Sequence, residues 1–325
     1  MISRRAFVAS GIAAIGGIPF TRSASAQESA LPSMMKTICP FPPGTGADIV
    51  VRFYAKALQD RSGKTVVVEN RPGAFGNIAV EAIARSKPDG TTVGIVPSSA
   101  IAAAPALFKS VSYDPVNDFD QVTTLNRVPW YLVVAGDSPH KSVADLVAHL
   151  KTLADKGSYG SVANSGLISS ELFKVAFGLP TVEVKYKETT AMLNDLWGRN
   201  IAFAHLDPVS ALAHLKSGKL RALSSSTKER TKTFPNIPSA AESGIPDCDL
   251  AGWWGIAMPK GTPQPIRDEL EKIFNAFVNS AEHNDFITGI GCDPYPGNHA
   301  KAQQALINEI EVWKRYVQLA KIERI

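Results

Sequence analysis

The run Pro40-Phe41-Pro42-Pro43-Gly44-Thr45-Gly46-Ala47-Asp48 has residue types suited to holding an anion. Glycines let backbone N–H groups approach a negative charge, and a helix opening at that point adds the positive end of its dipole. Gly44, Thr45 and Gly46 are therefore a candidate carboxylate cradle that needs no Arg or Lys, with Phe41 as an apolar wall beside it. Asp48 falls in the first turn of that helix, where a negative charge is stabilising on its own account. A structural role and a ligand-side role through water are both open to it. A second small, polar run, Ser161-Val162-Ala163-Asn164-Ser165-Gly166, has the same character and makes Asn164, Ser165 and Gly166 candidates. Ser98 and Ser99 follow an apolar run and form a third such place. Singly, each is an ordinary strand-to-helix connection. Together they predict helix ends facing one cleft, at the carboxyl ends of parallel strands.

Other chemistries find little support. Gly44-Thr45-Gly46 lacks the third glycine of a dinucleotide fingerprint, Ile49 standing in its place. Gly63-Lys64-Thr65 ends like a phosphate loop, but Leu58 replaces the first glycine and a strand follows where a helix is required. Neither a Gly-x-Ser-x-Gly elbow nor a His-Glu-x-x-His helix occurs. His205 and Asp207, two apart after a strand, read either as an acid–base pair or as the commoner structural hydrogen bond. The six histidines and three cysteines fit no metal spacing, so no metal or cofactor is expected. Cys39, Cys248 and Cys292 leave one disulfide open without choosing its pair, and Cys39, in an apolar run, reads more readily as a small buried hydrophobe.

The elements that would position these residues alternate strand and helix. Strands are expected at Thr37 to Phe41, Thr65 to Val68 and Thr91 to Val96, with helices at Asp48 to Gln59 and Asn77 to Arg85 between them. That is the rhythm of a doubly wound, mainly parallel sheet. A second unit starts near Trp130. Its strands are Tyr131 to Ala135, Tyr159 to Val162, Val182 to Tyr186, Ile201 to Leu206 and Leu220 to Ser224, and a capping-box-like start lies at Ser142. Trp254 to Met258 is one more strand, and the remainder is helical, ending in an amphipathic helix of about Ala300 to Lys321. The chain thus leaves the first unit, builds the second and returns. The expected organisation is a two-domain α/β clamp, domain 1 being 34–129 with 254–325 and domain 2 being 130–253.

Length and charge bound the partners. With 325 residues, 45% of them hydrophobic, the chain suffices for two domains of ordinary size. Residues 1–26 read as an export signal: Arg4 and Arg5, then an apolar run from Val8 to Phe20, then Ala24-Ser25-Ala26 before Gln27. Ser3-Arg4-Arg5-Ala6-Phe7 also suits twin-arginine export, with general secretion as the alternative. Removing Arg4, Arg5 and Arg22 from 34 basic residues leaves 31 against 30 acidic, a balance with no footprint for nucleic acid. No later segment has the uninterrupted apolar length of a membrane span.

At these motifs the chain resembles the substrate-binding proteins of tripartite tricarboxylate transporters, the Bordetella uptake gene family. The matching segments are Pro40-Phe41-Pro42-Pro43-Gly44-x-Gly46-x-Asp48, Val66 to Ala74 with Gly76-Asn77-Ile78, and Pro88-Asp89-Gly90. They continue through Pro208-x-Ser210-Ala211, Gly218 to Leu223, Pro235-x-Ile237-Pro238 and Glu242-x-Gly244, and close with Trp254-Gly255-x-x-x-Pro259-x-Gly261-Thr262-Pro263. The resemblance implies a periplasmic two-domain binding protein of the type II clamp kind, not an enzyme. A monomer is expected, with a dimer left open by the exposed face of the last helix. The protein would deliver a small organic acid, a mono- or dicarboxylate and aromatic acids included, to membrane permease subunits. Carried over, the ligand-side loops are Phe41 to Asp48 and Ser161 to Gly166, with Ser98 and Asp207 as further cleft candidates; Ser99 and Thr189 beside them complete the candidate set. Three departures bear on the ligand and leave a neutral or monocarboxylate ligand open: Thr45 interrupts the usual paired glycines, Glu188-Thr189 replaces a Gly-Ser, and Ile168 to Ser170 stand where a His is frequent. Two alternatives stay open: a ligand-dependent sensor partner of a membrane receptor, and a periplasmic enzyme using His205 and Asp207.

Overall fold

The computed structural model describes residues 29–324, so the export-signal expectation lies outside the described residues. One sheet holds β1 (Met34–Cys39), β2 (Thr65–Asn70), β3 (Thr92–Pro97), β4 (Phe119–Pro129), β10 (Ala251–Pro259) and β11 (Asp293–Pro294), in the order β11-β4-β10-β3-β1-β2. The other holds β5 (Tyr131–Ala135), β6 (Ser158–Ser161), β7 (Val182–Lys185), β8 (Phe203–Leu206) and β9 (Leu220–Ser225), in the order β7-β6-β8-β5-β9.

Both sheets are covered on both faces. The first carries α1 (Gly46–Ser62), α9 (Gln264–Val278) and α10 (Ala281–Gly289) on one side. Its other side carries α2 (Asn77–Ala84), α3 (Ser98–Ala102), α4 (Ala104–Leu107) and α11 (His299–Leu319). The second sheet lies between α5 (Val143–Leu153) with α6 (Asn164–Phe177) and α7 (Thr189–Trp197) with α8 (Pro208–Lys216). Strands sealed on both faces read as continuous apolar runs, as in Tyr131-Leu132-Val133-Val134-Ala135, every residue of which is buried. The edge strand β2 is only partly covered, and exposed residues recur along its first half. One apolar core runs through both sheets, because α11 packs against β4, α3, α4 and also α6.

The helix ends follow local chemistry. Thr45 caps α1 by accepting the Asp48 N–H, and Gly63 ends that helix at φ 68°, a left-handed conformation only glycine adopts cheaply. Ser142 and Asp145 form the reciprocal capping box expected at α5. Asp207 caps α8 ahead of Pro208.

The α/β organisation in two sheets is as expected, but the pairing is mixed, not mainly parallel. β1 pairs in parallel with β2 and β3, and β6 with β7 and β8, whereas β10 and β5 are antiparallel to both of their neighbours. The reason is the crossing. β4 ends at the carboxyl edge of the first sheet and the chain enters the second at its carboxyl edge, so β5 must run away from that edge. The return from β9 reverses β10 in the same way. A further difference is β4 itself, an eleven-residue strand where no element was expected. Cys39, Cys248 and Cys292 are all buried and unpaired.

Candidate ligand-binding site

Register brings the carboxyl ends of the strands to the crossings. Pro97, the last residue of β3, pairs with Trp254, and Pro129, the last of β4, pairs with Ala251. In the second sheet Tyr131, the first residue of β5, pairs with both Leu206 and Ser225, the last residues of β8 and β9. The helices that start there, α1, α3, α6 and α8, therefore begin around one place. Contacts tie them together. A Cβ on Gly46 would fall 2.6 Å from Val209 Cγ1, so the first loop touches the start of α8. A Cβ on Gly76 would meet Ala100 at 3.0 Å and Pro40 at 3.3 Å, which sets α3 beside the same loop. Gly166 has equally little room, its Cβ position lying 3.1 Å from the Trp130 ring.

The first loop is held from inside. Gly44, at φ 80°, donates its N–H to Asp48 Oδ2 at 2.9 Å. Arg52 Nε reaches the same oxygen at 2.8 Å, and Asn70 Nδ2 reaches Oδ1 at 2.7 Å and the Phe41 carbonyl at 2.8 Å. Burial opposes the charge on Asp48, but the bonds from Arg52, Asn70 and Gly44 outweigh it and hold its carboxyl below the usual range. Of the two roles open to Asp48, the structural one is occupied: its carboxylate is spent on the loop. Phe41 lies past the end of β1, with its ring centroid 6.0 Å from that of Trp254. Thr45 Oγ1 donates to the Pro42 carbonyl at 2.9 Å as well as capping α1.

Asn164 to Gly166 and Thr189 stand inside helices, one step beyond the loops in which the residue pattern sets them, while Asp207 is the cap of α8. Asn164, Ser165 and Gly166 form the first turn of α6, with Ala163 at the cap. Asn164 and Ser165 are 7% and 4% exposed, and Asn164 Oδ1 is buried without a hydrogen-bond partner. Thr189 opens α7, half-buried, after an exposed Glu188 that makes no side-chain cap. Asp207 accepts the Ser210 N–H at 3.0 Å, and burial pushes its carboxyl upward.

His205 and Asp207 do not join as an acid–base pair. The His205 ring is 4% exposed, with Nδ1 2.9 Å from Ser170 Oγ, and lies among Phe173 and Phe203. Burial drives its pKa down to about 3, so it is neutral in ordinary solution. Asp207 has left the strand and serves α8, so the two side chains part at the end of β8.

Ser98 and Ser99 begin α3. The buried Ser98 hydroxyl donates to Glu309 Oε1 at 2.8 Å and accepts the Trp253 N–H at 3.1 Å. Glu309 escaped the residue pattern because one Glu on an amphipathic helix looks like any solvated charge. Among the described residues no group of three or more His, Cys, Asp or Glu is arranged to hold a metal, and no helix is long and apolar enough to cross a membrane. Two grooves, of about 400 and 340 Å³, lie elsewhere: beside Tyr113 and Ile310, and between α6 and Gly244 to Asp247. The site is thus defined by converging helix starts and not by cavity size.

Residues 50–322 match the model of the tripartite tricarboxylate transporter family receptor. The chain belongs to this family. Protein BugT of Bordetella pertussis is 30% identical over 282 residues, 86% of each chain. Among solved structures, R. palustris Rpa4515 with adipate has a TM-score of 0.83 at 30% identity, covering 90% of this chain and 98% of that one. MatC from Rhodopseudomonas palustris with bound malate has a TM-score of 0.79 at 25% identity, covering 87% and 98%. The periplasmic binding protein BugD has a TM-score of 0.81 at 27% identity, covering 90% and 98%. This receptor is thus a solute-binding protein of a periplasmic family. In it Thr45, the departure from paired glycines, supplies the cap of α1 without disturbing the left-handed Gly44.

Proposed function

We propose that this receptor captures a small organic carboxylate between its two sheets and presents it to membrane permease subunits of a tripartite tricarboxylate-type transporter. The observation that carries the proposal is the convergence of four helix starts, from both sheets, at the two crossings. Backbone N–H groups at α1 and α6, with the neutral side chains of Asn164 and Ser165, suit an anion without any cation. Phe41 adds an apolar wall. Structural relatives carrying adipate and malate support a carboxylate as the ligand. The moving units are 34–129 with 254–325, and 130–253, closing as a monomer in the periplasm after residues 1–26 are removed. Ser99, Thr189 and Asp207 complete the ligand-side set, and the chain binds without turnover.

The test follows the melting temperature of the mature chain against succinate, adipate, malate, citrate and benzoate, with the corresponding amides as controls. An acid at 100 times its Kd adds about 2.7 kcal/mol. That is a shift of roughly 2–4 °C per kcal/mol for a chain of this size. A shift lost on amidation supports the proposal. No shift with any acid, from folded and ligand-free protein, overturns it.

A further inference from the structure

Where α3 begins, segments far apart in sequence meet on one carboxylate. Glu309 Oε1 accepts the Ser98 hydroxyl at 2.8 Å and the Trp313 indole N–H at 3.2 Å. Ser98 Oγ in turn accepts the Trp253 N–H at 3.1 Å, and Trp253 is the β10 residue paired with Arg127 of β4. One side chain of α11 is thereby tied to a helix start of the candidate site and to both crossing strands.

The electrostatic surroundings are sparse. Arg127 favours the ionised form of Glu309 from β4, while α3, α4 and β10 carry no titratable side chain. β11 brings Asp293, in register with Arg127. α6 brings Glu171 and Lys174, already paired with each other at 3.0 Å. On α11 itself Glu311 and Lys314 are paired at 2.7 Å, and Arg315 donates to the Asp247 carbonyl. Burial outweighs the bonds from Ser98, Trp313 and Trp253 and the charge of Arg127, and holds the Glu309 carboxyl up at about 7. Near neutral pH the group is thus part protonated.

We propose that Glu309 makes carboxylate capture proton-linked: an anion arriving at the Ser98 end of the cleft draws a proton from solvent onto Glu309. The inference rests on the site proposed above and adds its regulation. Two carboxylates close together in a dehydrated cleft do not both stay ionised. Protonation also changes the hydrogen bonding. Ionised Glu309 is acceptor only and claims the Ser98 proton, whereas protonated Glu309 has a proton of its own to donate. Ser98 is then free to turn its hydroxyl to the anion. Linkage is reciprocal, so the proton raises affinity for the anion by the factor by which the anion raises affinity for the proton. Glu309 is in this sense a positioning residue, acting through Ser98.

Calorimetry of adipate binding, or of whichever acid in the panel above binds tightest, decides the matter. The titrations run between pH 6.5 and 8.5, in buffers of differing ionisation enthalpy. The unmodified chain should take up a fraction of a proton on binding, with affinity falling on the order of fivefold or more across that range. Glu309→Gln keeps an acceptor oxygen for Ser98 but has no proton to exchange. It should bind with no uptake and a flat pH profile. Binding without proton uptake in the unmodified chain, or equal uptake in Glu309→Gln, overturns the linkage and leaves the site standing. Absence of binding by every acid removes both.

Discussion

Gly46 lies against Val209 so closely that a Cβ added to it would sit 2.6 Å from Val209 Cγ1. The first residue belongs to the start of α1 and the second to α8, on different sheets, so this contact exists only while the two units are together. Val is stiff at χ1 and cannot swing clear. Gly46→Ala should therefore act on closure and not on folding. Alanine suits a helix start, and the melting temperature of the free protein should change by at most a few degrees. Affinity for the captured acid should fall roughly tenfold, the scale of mild overpacking. The double variant Gly46→Ala/Val209→Ala should regain most of it. Affinity unchanged in Gly46→Ala, or not regained in the double variant, would show that the halves do not close on this contact.

Asp48 makes the opposite kind of contribution. Its two oxygens take the Gly44 N–H, Arg52 and Asn70, and its carboxyl is held below the ordinary range. A depressed carboxyl stabilises the fold above its unfolded pKa, and that stability is lost as pH falls through the lower folded value. Asp48→Ala strands three donors, one of them on a half-exposed Arg52 that water can satisfy. Chemical denaturation at pH 7 should show a loss of about 2–3 kcal/mol. The loss should shrink toward pH 3, and ligand affinity should drop as the loop loosens. A ligand role alone would leave the stability of the free protein intact.

How much of this was legible in the residues depended on whether local chemistry decided the outcome. The apolar runs of β3 and β5, the capping box at Ser142 and the glycine loop before α1 speak for themselves, because neighbours in sequence make the deciding contacts. β4 did not. Asp120, Gln121, Thr123, Thr124 and Asn126 break its apolar pattern, yet all five are buried. Four of them have remote partners: Lys260 and Gly261 for Asp120, Gly297 for Thr123, Tyr295 for Thr124 and Tyr54 for Asn126. Glu309 was hidden for the same reason, its partners Ser98 and Trp253 lying on other elements. The reversal of β5 and β10 was equally invisible, since strand direction follows from where the chain crosses and not from which residues it carries.

Glu309 should also leave a mark on the free protein. Its folded pKa, about 7, lies above the ordinary carboxyl value of 4.5. A raised carboxyl contributes stability that is present below the unfolded value and is lost as pH rises through the folded one. Glu309→Gln mimics the neutral form at every pH. Its melting temperature should match that of the unmodified chain at pH 5 and exceed it at pH 8, by an amount corresponding to about 1–3 kcal/mol. A constant offset at both pH values would mean that the change alters packing and not titration.

His283 governs the acid side. It is fully buried between α1 and α9, its Nε2 3.0 Å from the Tyr54 hydroxyl and its ring 5.3 Å from that of Phe277. Tyr54 gives its own proton to Asn126 Oδ1 at 2.7 Å, so Nε2 is assigned the hydrogen and donates to Tyr54. Burial pushes the imidazole down to about 4 from 6.5. A depressed histidine binds protons more readily unfolded than folded. The folded state therefore has its full stability above pH 6.5 and loses it as pH falls toward 4. At about 1.4 kcal/mol for each unit, the loss near pH 4 is on the order of 3 kcal/mol. His205, pushed lower still by burial, adds to the same limb. His283→Gln keeps an N–H for Tyr54 and cannot titrate. Denaturation curves taken between pH 7 and pH 4 should therefore be flatter for the variant, with the two proteins closest in stability at pH 4. Parallel curves would mean that His283 is already charged in the folded protein, or that Tyr54 shields it less than the packing indicates.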